Sequence, residues 1–173
     1  MSTYHHGDLR TALLQTAGKI LEKQGLVALS LRELARLAGV SHNAPYRHFP
    51  DRDSLLAALA AEGFELLGDA LQSRPRREMG EAYVEFALAH PERFRLMFGG
   101  VAKLEQRDRR AYEGLLKSFA DLGEDAQYAA AAAWALVHGL SHLLLDGHFS
   151  GRDQQQFVRE VLSTVRFSAP RKG

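Results

Sequence analysis

The sequence predicts an all-α protein, on three observations. Apolar residues recur at intervals of three and four along most of the chain, the period of a helix with one buried face. No stretch shows the strict alternation of apolar and polar residues expected of a half-buried strand. Serine, aspartate and proline precede several of the periodic runs and glycine follows them, which is helix punctuation. With 173 residues, the chain is long enough for one ordinary domain, or for a small domain joined to a larger one.

In chain order, Leu9, Leu13, Ala17, Ile20 and Leu21 share one helical face, and Gly25 ends that segment. In "SLRELARLAG", Ser30 and Glu33 have capping-box spacing. The serine accepts from the Glu33 amide, and the glutamate reaches back to the Ser30 amide. This short helix stops at Ala38-Gly39. Ser41 is placed to cap a second short helix over about His42–Phe49. Pro45 falls within it as the fourth helical residue, where it removes about one hydrogen bond at the end of the first turn. Two short helices joined through Gly39-Val40-Ser41 form a helix-turn-helix, with Val40 as the apolar pin.

Asp51 can cap the next helix, whose buried face runs from Leu55 and Leu56 through Leu59, Gly63 and Phe64 to Leu67 and Leu71. "QSRPRREMG" (Gln72–Gly80) reads as a linker, with Pro75 among arginines. Tyr83, Phe86, Ala87 and His90 mark one helix. Pro91 opens another that stops at Gly99-Gly100. Further helices are expected over Lys103–Leu122, Glu124–Asp146 and Asp153–Phe167. The last carries an apolar stripe of Phe157, Val158, Val161, Leu162 and Val165.

Composition narrows the function classes. Apolar residues make up 46% and charged residues 25%, as in soluble globular proteins. There is no cysteine, which excludes disulfides, thiolate metal sites and cysteine nucleophiles and fits a cytoplasmic location. "MSTYHHGDLR" lacks the basic-then-apolar pattern of a signal peptide. Tyr128–Leu145 approaches spanning length, but its alanines, two histidines, serine and glycine make it a buried helix rather than a membrane span. Net charge is +1, unevenly divided. Residues 1–52 carry seven Lys/Arg against four Asp/Glu, and the remainder 15 against 17. A basic first third points to a polyanionic partner for that third.

His42 and His48 are six apart, on different helical faces, so they are not a zinc pair. A short helix after a three-residue turn, carrying His42, Asn43, Tyr46, Arg47 and His48, suits nucleic acid instead. Asparagine can pair with adenine edges, while tyrosine, histidine and arginine donate to phosphates. Helix-turn-helices also occur as plain packing units, so on residues alone this second use stays open.

Gly25–Leu56, "GLVALSLRELARLAGVSHNAPYRHFPDRDSLL", resembles the DNA-binding region of TetR-family bacterial transcriptional regulators. The matching positions include Leu31-Arg32-Glu33-Leu34-Ala35, Ala38-Gly39-Val40-Ser41, Tyr46, His48-Phe49 and Leu55-Leu56. The resemblance implies that the second short helix, with Ser41, His42 and Asn43 at its start, enters the major groove. Tyr46, His48 and Arg52 would contact phosphates, and Ser30 and Arg32 would face the DNA backbone. Asn43-Ala44-Pro45 departs from the family's usual small residue and threonine or leucine, which affects the recognised bases rather than the binding mode. "FALAHPERFRLMFGG" and "WALVHGL" resemble, more loosely, TetR-type regulatory domains with a Trp…His-Gly signature.

The likeness implies an N-terminal helix-turn-helix domain over residues 1–52 and a helical-bundle regulatory and dimerisation domain over 53–173. Its expected partners are a palindromic double-stranded operator, a second copy of the chain met through the last two helices, and a small effector. The expected function is that of an effector-released repressor rather than an enzyme, with no membrane partner and no fixed cofactor. Independently, Ala129–Ala133 would let another helix approach closely, and the Phe157–Val165 stripe offers it an apolar face. A twofold pair of recognition helices about one DNA turn apart reads a palindrome, where one alone contacts too few bases.

Tyr83, Phe86, Phe94, Phe98, Tyr112, Phe119, Trp134 and His138 are candidates to line a cavity for an apolar or amphipathic effector. Most of the aromatics would serve equally as core. Trp134, His138, His142 and Asp146 recur every four residues. His138 and His142 therefore have metal-ligand spacing, which keeps a metal-responsive regulator or helical-bundle metalloprotein as the alternative. Against it, no Glu-x-x-His partner follows Glu78, Glu81 or Glu85, and a histidine pair satisfied within a helical interface is the commoner case. The chain also lacks G-x-S-x-G and phosphate-loop glycine patterns.

Overall fold

The computed structural model of the chain describes residues 6–100 and 110–168. Among these the chain forms eight α-helices and no strand: α1 (His6–Gln24), α2 (Leu31–Leu37), α3 (Arg52–Leu71), α4 (Arg76–Ala89), α5 (Pro91–Phe98), α6 (Arg110–Ser118), α7 (Ala126–Leu145) and α8 (Gln154–Thr164). They pack as two compact units, one of residues 6–64 and 90–100, the other of 65–89 and 110–168. Packing thus groups α5 with the N-terminal helices. The division expected after residue 52 falls where α3 begins, whereas the packing boundary lies within α3, between Phe64 and Glu65.

In the first unit, Leu13, Ala17 and Leu21 of α1 meet Leu34 of α2, Phe49, and Leu55 and Leu59 of α3. The Arg10 guanidinium lies over the Phe49 ring, 5.3 Å from its centroid. From α5, Leu96 joins this core and Arg93 enters it, only 8% exposed. Arg93 donates to Glu62 Oε2 at 2.7 Å, and its Nε lies 3.9 Å from Glu22 Oε1. Gly18 and Gly63 leave it room. A Cβ at Gly18 would stand 2.5 Å from Arg93 Nη2, and one at Gly63 would stand 2.7 Å from Met97 Sδ.

Helix caps form largely as the spacing predicts. Ser30 Oγ accepts from the Glu33 amide at 3.1 Å. The reciprocal half of the capping box is absent, because the Glu33 carboxylate takes two bonds from Arg36, at 2.8 and 2.6 Å. A charged guanidinium one turn on outcompetes a backbone amide. Asp51 accepts from the Ser54 hydroxyl at 2.6 Å and amide at 2.7 Å, which holds its carboxyl below the usual carboxylate range. Asp153 accepts from the Gln156 amide at 3.0 Å and so starts α8.

In the second unit, Ala126, Ala129, Ala130 and Ala133 of α7 pack around Phe119, and α7 lies against α4 and α6. The small residues at 129, 130 and 133 are thus used inside the chain's own unit, while Ala131 and Ala132 are exposed. By length and composition, Ala120–Leu145 could cross a membrane (mean hydropathy 1.3). Its helix α7 instead serves as the central helix of this unit.

Two expectations need correction here. The linker over Gln72–Gly80 is shorter, because α4 already begins at Arg76. The Pro75 carbonyl accepts the Met79 amide at 3.0 Å, since a proline near a helix start supplies helical φ without losing a needed bond. The helix over Lys103–Leu122 is observed only as α6. Residues 103–109 lie outside the described residues. After Ser118 the chain tightens into 3-10 turns over Ala120–Asp125, broken at Gly123 with φ +58°.

Candidate nucleic-acid interface and effector cavity

The end of α2 sets the geometry of the turn. Gly39 adopts φ +65°, its amide bonds the Arg36 carbonyl at 3.3 Å, and the Val40 amide bonds the Ala35 carbonyl at 3.1 Å. This is a Schellman closure, which requires a left-handed residue where glycine stands. Val40 packs against the core as the expected apolar pin.

The second helix of the motif differs from expectation. Ser41 makes no side-chain cap; its carbonyl accepts the Ala44 amide at 2.9 Å. Turns at 42–44 lead into a single 3-10 turn, Pro45–Arg47, and the Phe49 amide returns to the Pro45 carbonyl at 2.9 Å. Proline cannot donate back to Ser41, so residues 41–44 close with the tighter i to i+3 bond instead of a full α-turn. The buried Pro45 ring anchors the segment.

This segment presents Ser41, His42, Asn43 and Arg47 to solvent, with Tyr46 44% exposed and His48 half-buried. The His42 and Tyr46 rings stand 5.8 Å apart, and His42 Nδ1 lies 3.3 Å from Asn43 Oδ1. Ser30 and Arg32 of the α2 start border one shallow hollow with His42, so both halves of the motif contribute to one face. Arg52 is placed differently. Its guanidinium donates to the carbonyls of Leu29 at 2.9 Å and Leu26 at 2.7 Å. It clamps the turn before α2 to the start of α3, a structural role its position in the sequence did not suggest.

The second unit holds a cavity of about 350 Å³ bordered by the end of α3, by α4, α6, α7 and α8, and by the chain leaving α8. Of the expected lining, Tyr83 and Trp134 are present, joined by residues not anticipated, notably Met79, Leu115, Leu162 and Phe167. Tyr112 stacks behind Trp134 at 5.2 Å, and His138 stands behind Tyr83. Phe119 is fully buried against Phe167 and Arg76, and Phe86 is buried on α4. Phe94 and Phe98 belong to the first unit, where they pack together at 4.9 Å. Periodicity marks all these aromatics as inward-facing but does not say which core each one enters.

Tyr83 Oη lies 3.0 Å from His138 Nδ1. Burial pushes the Tyr83 hydroxyl above the ordinary phenol range, against a hydrogen bond from Trp134. With His138 neutral, the direction of the Tyr83–His138 bond follows the ring's tautomer. Burial first and the neighbouring His142 second depress the His138 pKa, consistent with that neutral ring. The two histidine rings are 4.7 Å apart, but among the described residues no three His, Asp or Glu side chains are grouped to hold a metal.

Comparison with known proteins fits both units. Residues 13–59 match the family model described as "Bacterial regulatory proteins, tetR family". Residues 76–165 match "Tetracyclin repressor-like, C-terminal domain". The chain belongs to the TetR family. A Haemophilus influenzae protein described as an uncharacterised HTH-type transcriptional regulator is 27% identical over 168 residues, covering 88% of this chain and 82% of that protein. A Rhodococcus sp. RHA1 protein of unknown function superposes with a TM-score of 0.81 at 37% identity, over 95% of this chain and 96% of that one. An Acinetobacter baumannii TetR variant solved with minocycline shares the fold, at TM-score 0.65 and 18% identity over 94% of each chain. In this TetR-family chain the helix-turn-helix segment is therefore the DNA-binding element.

Proposed function

We propose that this chain is a homodimeric, cytoplasmic repressor that occupies a palindromic operator and is released by a small apolar or amphipathic effector. The observation that carries this is the pairing of two features. An exposed polar set on one motif (Arg32, Asn43, Tyr46 and Arg47 among them) accompanies an apolar cavity in a separate unit. Asn43 supplies base recognition, and Tyr46, His48, Arg47, Ser30 and Arg32 supply backbone contacts. For dimerisation, α7 exposes Tyr128, Ala132, Ala135, Gly139 and Leu143, spaced four, three, four and four. This is a nearly flat stripe onto which a second copy's helix can close tightly. Release requires the effector to bind the two arrangements of the dimer unequally.

Selection from a random duplex library tests the reading. The enriched site should be palindromic, with half-sites about one helical turn apart. Arg32 and Arg47 from each copy give a log–log salt slope of about −3 to −4. Asn43→Ala should change the preferred bases more than the overall affinity. Failure to bind any duplex at low salt would refute the assignment, and a uniform loss for Asn43→Ala would demote that residue to a backbone contact.

A further inference from the structure

The chemistry of the cavity wall is more specific than "apolar or amphipathic". Its lining includes three arginines, Arg76, Arg77 and Arg166, and among the described residues no aspartate or glutamate. The rest is aliphatic and aromatic apart from Ser163. At the Tyr83 end the hydroxyl is already engaged with His138. What the wall offers a ligand is therefore apolar surface and positive charge.

The three arginines differ in availability. Arg76 is committed: its guanidinium lies 4.0 Å from the Phe119 ring centroid, bonds the Ser118 carbonyl, and pairs with Asp121 at 2.5 Å. Arg77 meets Glu81 only at 3.5 Å, with 63% of its side chain exposed, an ion pair that water already weakens. Arg166 donates to the carbonyls of Ser163 at 2.6 Å and Val165 at 3.0 Å, which fix its orientation without neutralising it. A guanidinium held by neutral carbonyls beside an apolar cavity is suited to a bidentate carboxylate.

We infer that this cavity takes a compact amphipathic carboxylate, its apolar body against Tyr83 and Trp134 and its carboxylate on Arg166 and Arg77. The inference rests on the effector reading above and names that effector's class. At about 350 Å³ the site is near the lower end of small-molecule pockets, about 300–1,000 Å³, which favours an aromatic or medium-chain acid over a long acyl chain. A cationic ligand would meet like charge, and a neutral one would gain nothing from Arg166, which is exposed and already solvated by water.

Trp134, the chain's single tryptophan, forms part of the wall, so its fluorescence reads occupancy directly on the full-length protein. The probes are 3-phenylpropanoate and octanoate, each against its methyl ester, with 3-phenylpropylamine as the cation. At least one acid should change Trp134 emission saturably, its ester should bind at least ten-fold more weakly, and the amine should not bind. Whichever acid binds more tightly identifies the body as aromatic or aliphatic. Arg166→Gln should weaken the acid at least ten-fold while leaving the ester unchanged, and Arg77→Gln should have a smaller effect in the same direction. Circular dichroism confirms that both variants fold.

Esters that match their acids, an acid indifferent to both substitutions, or no saturable response to either acid would each overturn the inference. Repeating the titration with selected operator DNA separates the two readings. An acid that binds without loosening DNA upholds the ligand class and defeats the effector role. A neutral compound that releases DNA, where the acids do not bind, does the reverse.

Discussion

Arg93→Met isolates the buried charge cluster of the first unit. Methionine keeps most of the aliphatic stem among Gly18, Gly63 and Met97 but removes the cation facing Glu62 at 2.7 Å and Glu22 at 3.9 Å. Glu22 Oε1 is buried and has no hydrogen-bond partner; Arg93 Nε and His90 Nδ1 both lie 3.9 Å from it, and of the two only the arginine is charged at every ordinary pH. Removing one partner of a fully buried pair costs about 3–5 kcal/mol. Here the carboxylate side chains keep 32% and 24% of their exposure, and water recovers part of the loss. The expected destabilisation is therefore about 2–3 kcal/mol. Urea denaturation followed by far-ultraviolet circular dichroism measures it. Adding Glu22→Gln and Glu62→Gln to Arg93→Met should recover more than half of the loss, because the orphaned charges then disappear. A single variant within about 0.5 kcal/mol of wild type, or a triple variant no better than the single, would show that the cluster does not hold α5 in place.

Ser30→Ala should cost about 1 kcal/mol by removing the α2 cap, measured in the same denaturation experiment. Gly39→Ala meets no atom within 4 Å but forces alanine to φ +65°, at about 1–2 kcal/mol. A neutral result would mean that the turn relaxes freely. Arg52→Gln loses two charge-assisted bonds to the turn before α2 and should lower stability even without DNA. Loss of DNA binding at unchanged stability would instead restore Arg52 as a phosphate contact. His138 has a folded pKa below its ordinary value of 6.5, so below that pH the unfolded chain takes up the proton first. Its contribution is complete above about pH 6.5 and declines as pH falls towards the folded pKa. His138→Gln should flatten that part of the stability–pH curve, and an unchanged curve would assign the dependence to another group.

The helical class, the cap residues Ser30 and Asp51, and the Val40 pin were legible because each depends on contacts within one or two turns of chain. What was not legible depends on distant partners. Arg52 meets carbonyls at Leu26 and Leu29, more than twenty positions earlier, and nothing local distinguishes it from an arginine aimed at phosphate. Phe94 and Tyr83 share residue character and periodicity, yet they serve different cores. Nothing local marks Arg93 as buried, because the small residues that admit it, Gly18 and Gly63, lie on two other helices. In the sequence Pro45 reads as one lost hydrogen bond, but its larger effect is to change the kind of turn that precedes it.

That proline also bears on how quickly the protein can engage DNA. Its ring fixes one backbone angle and is buried, so the segment carrying Asn43, Tyr46 and Arg47 has a set course before any duplex arrives. Fixing a residue's backbone costs about 1–2 kcal/mol, and here much of that is borne in folding rather than in association. Under the function proposed above, encounter then needs orientation but no slow ordering step, and sequence preference can drift through side-chain exchange at 43 while the main chain and the backbone contacts at 46 and 47 stay in place.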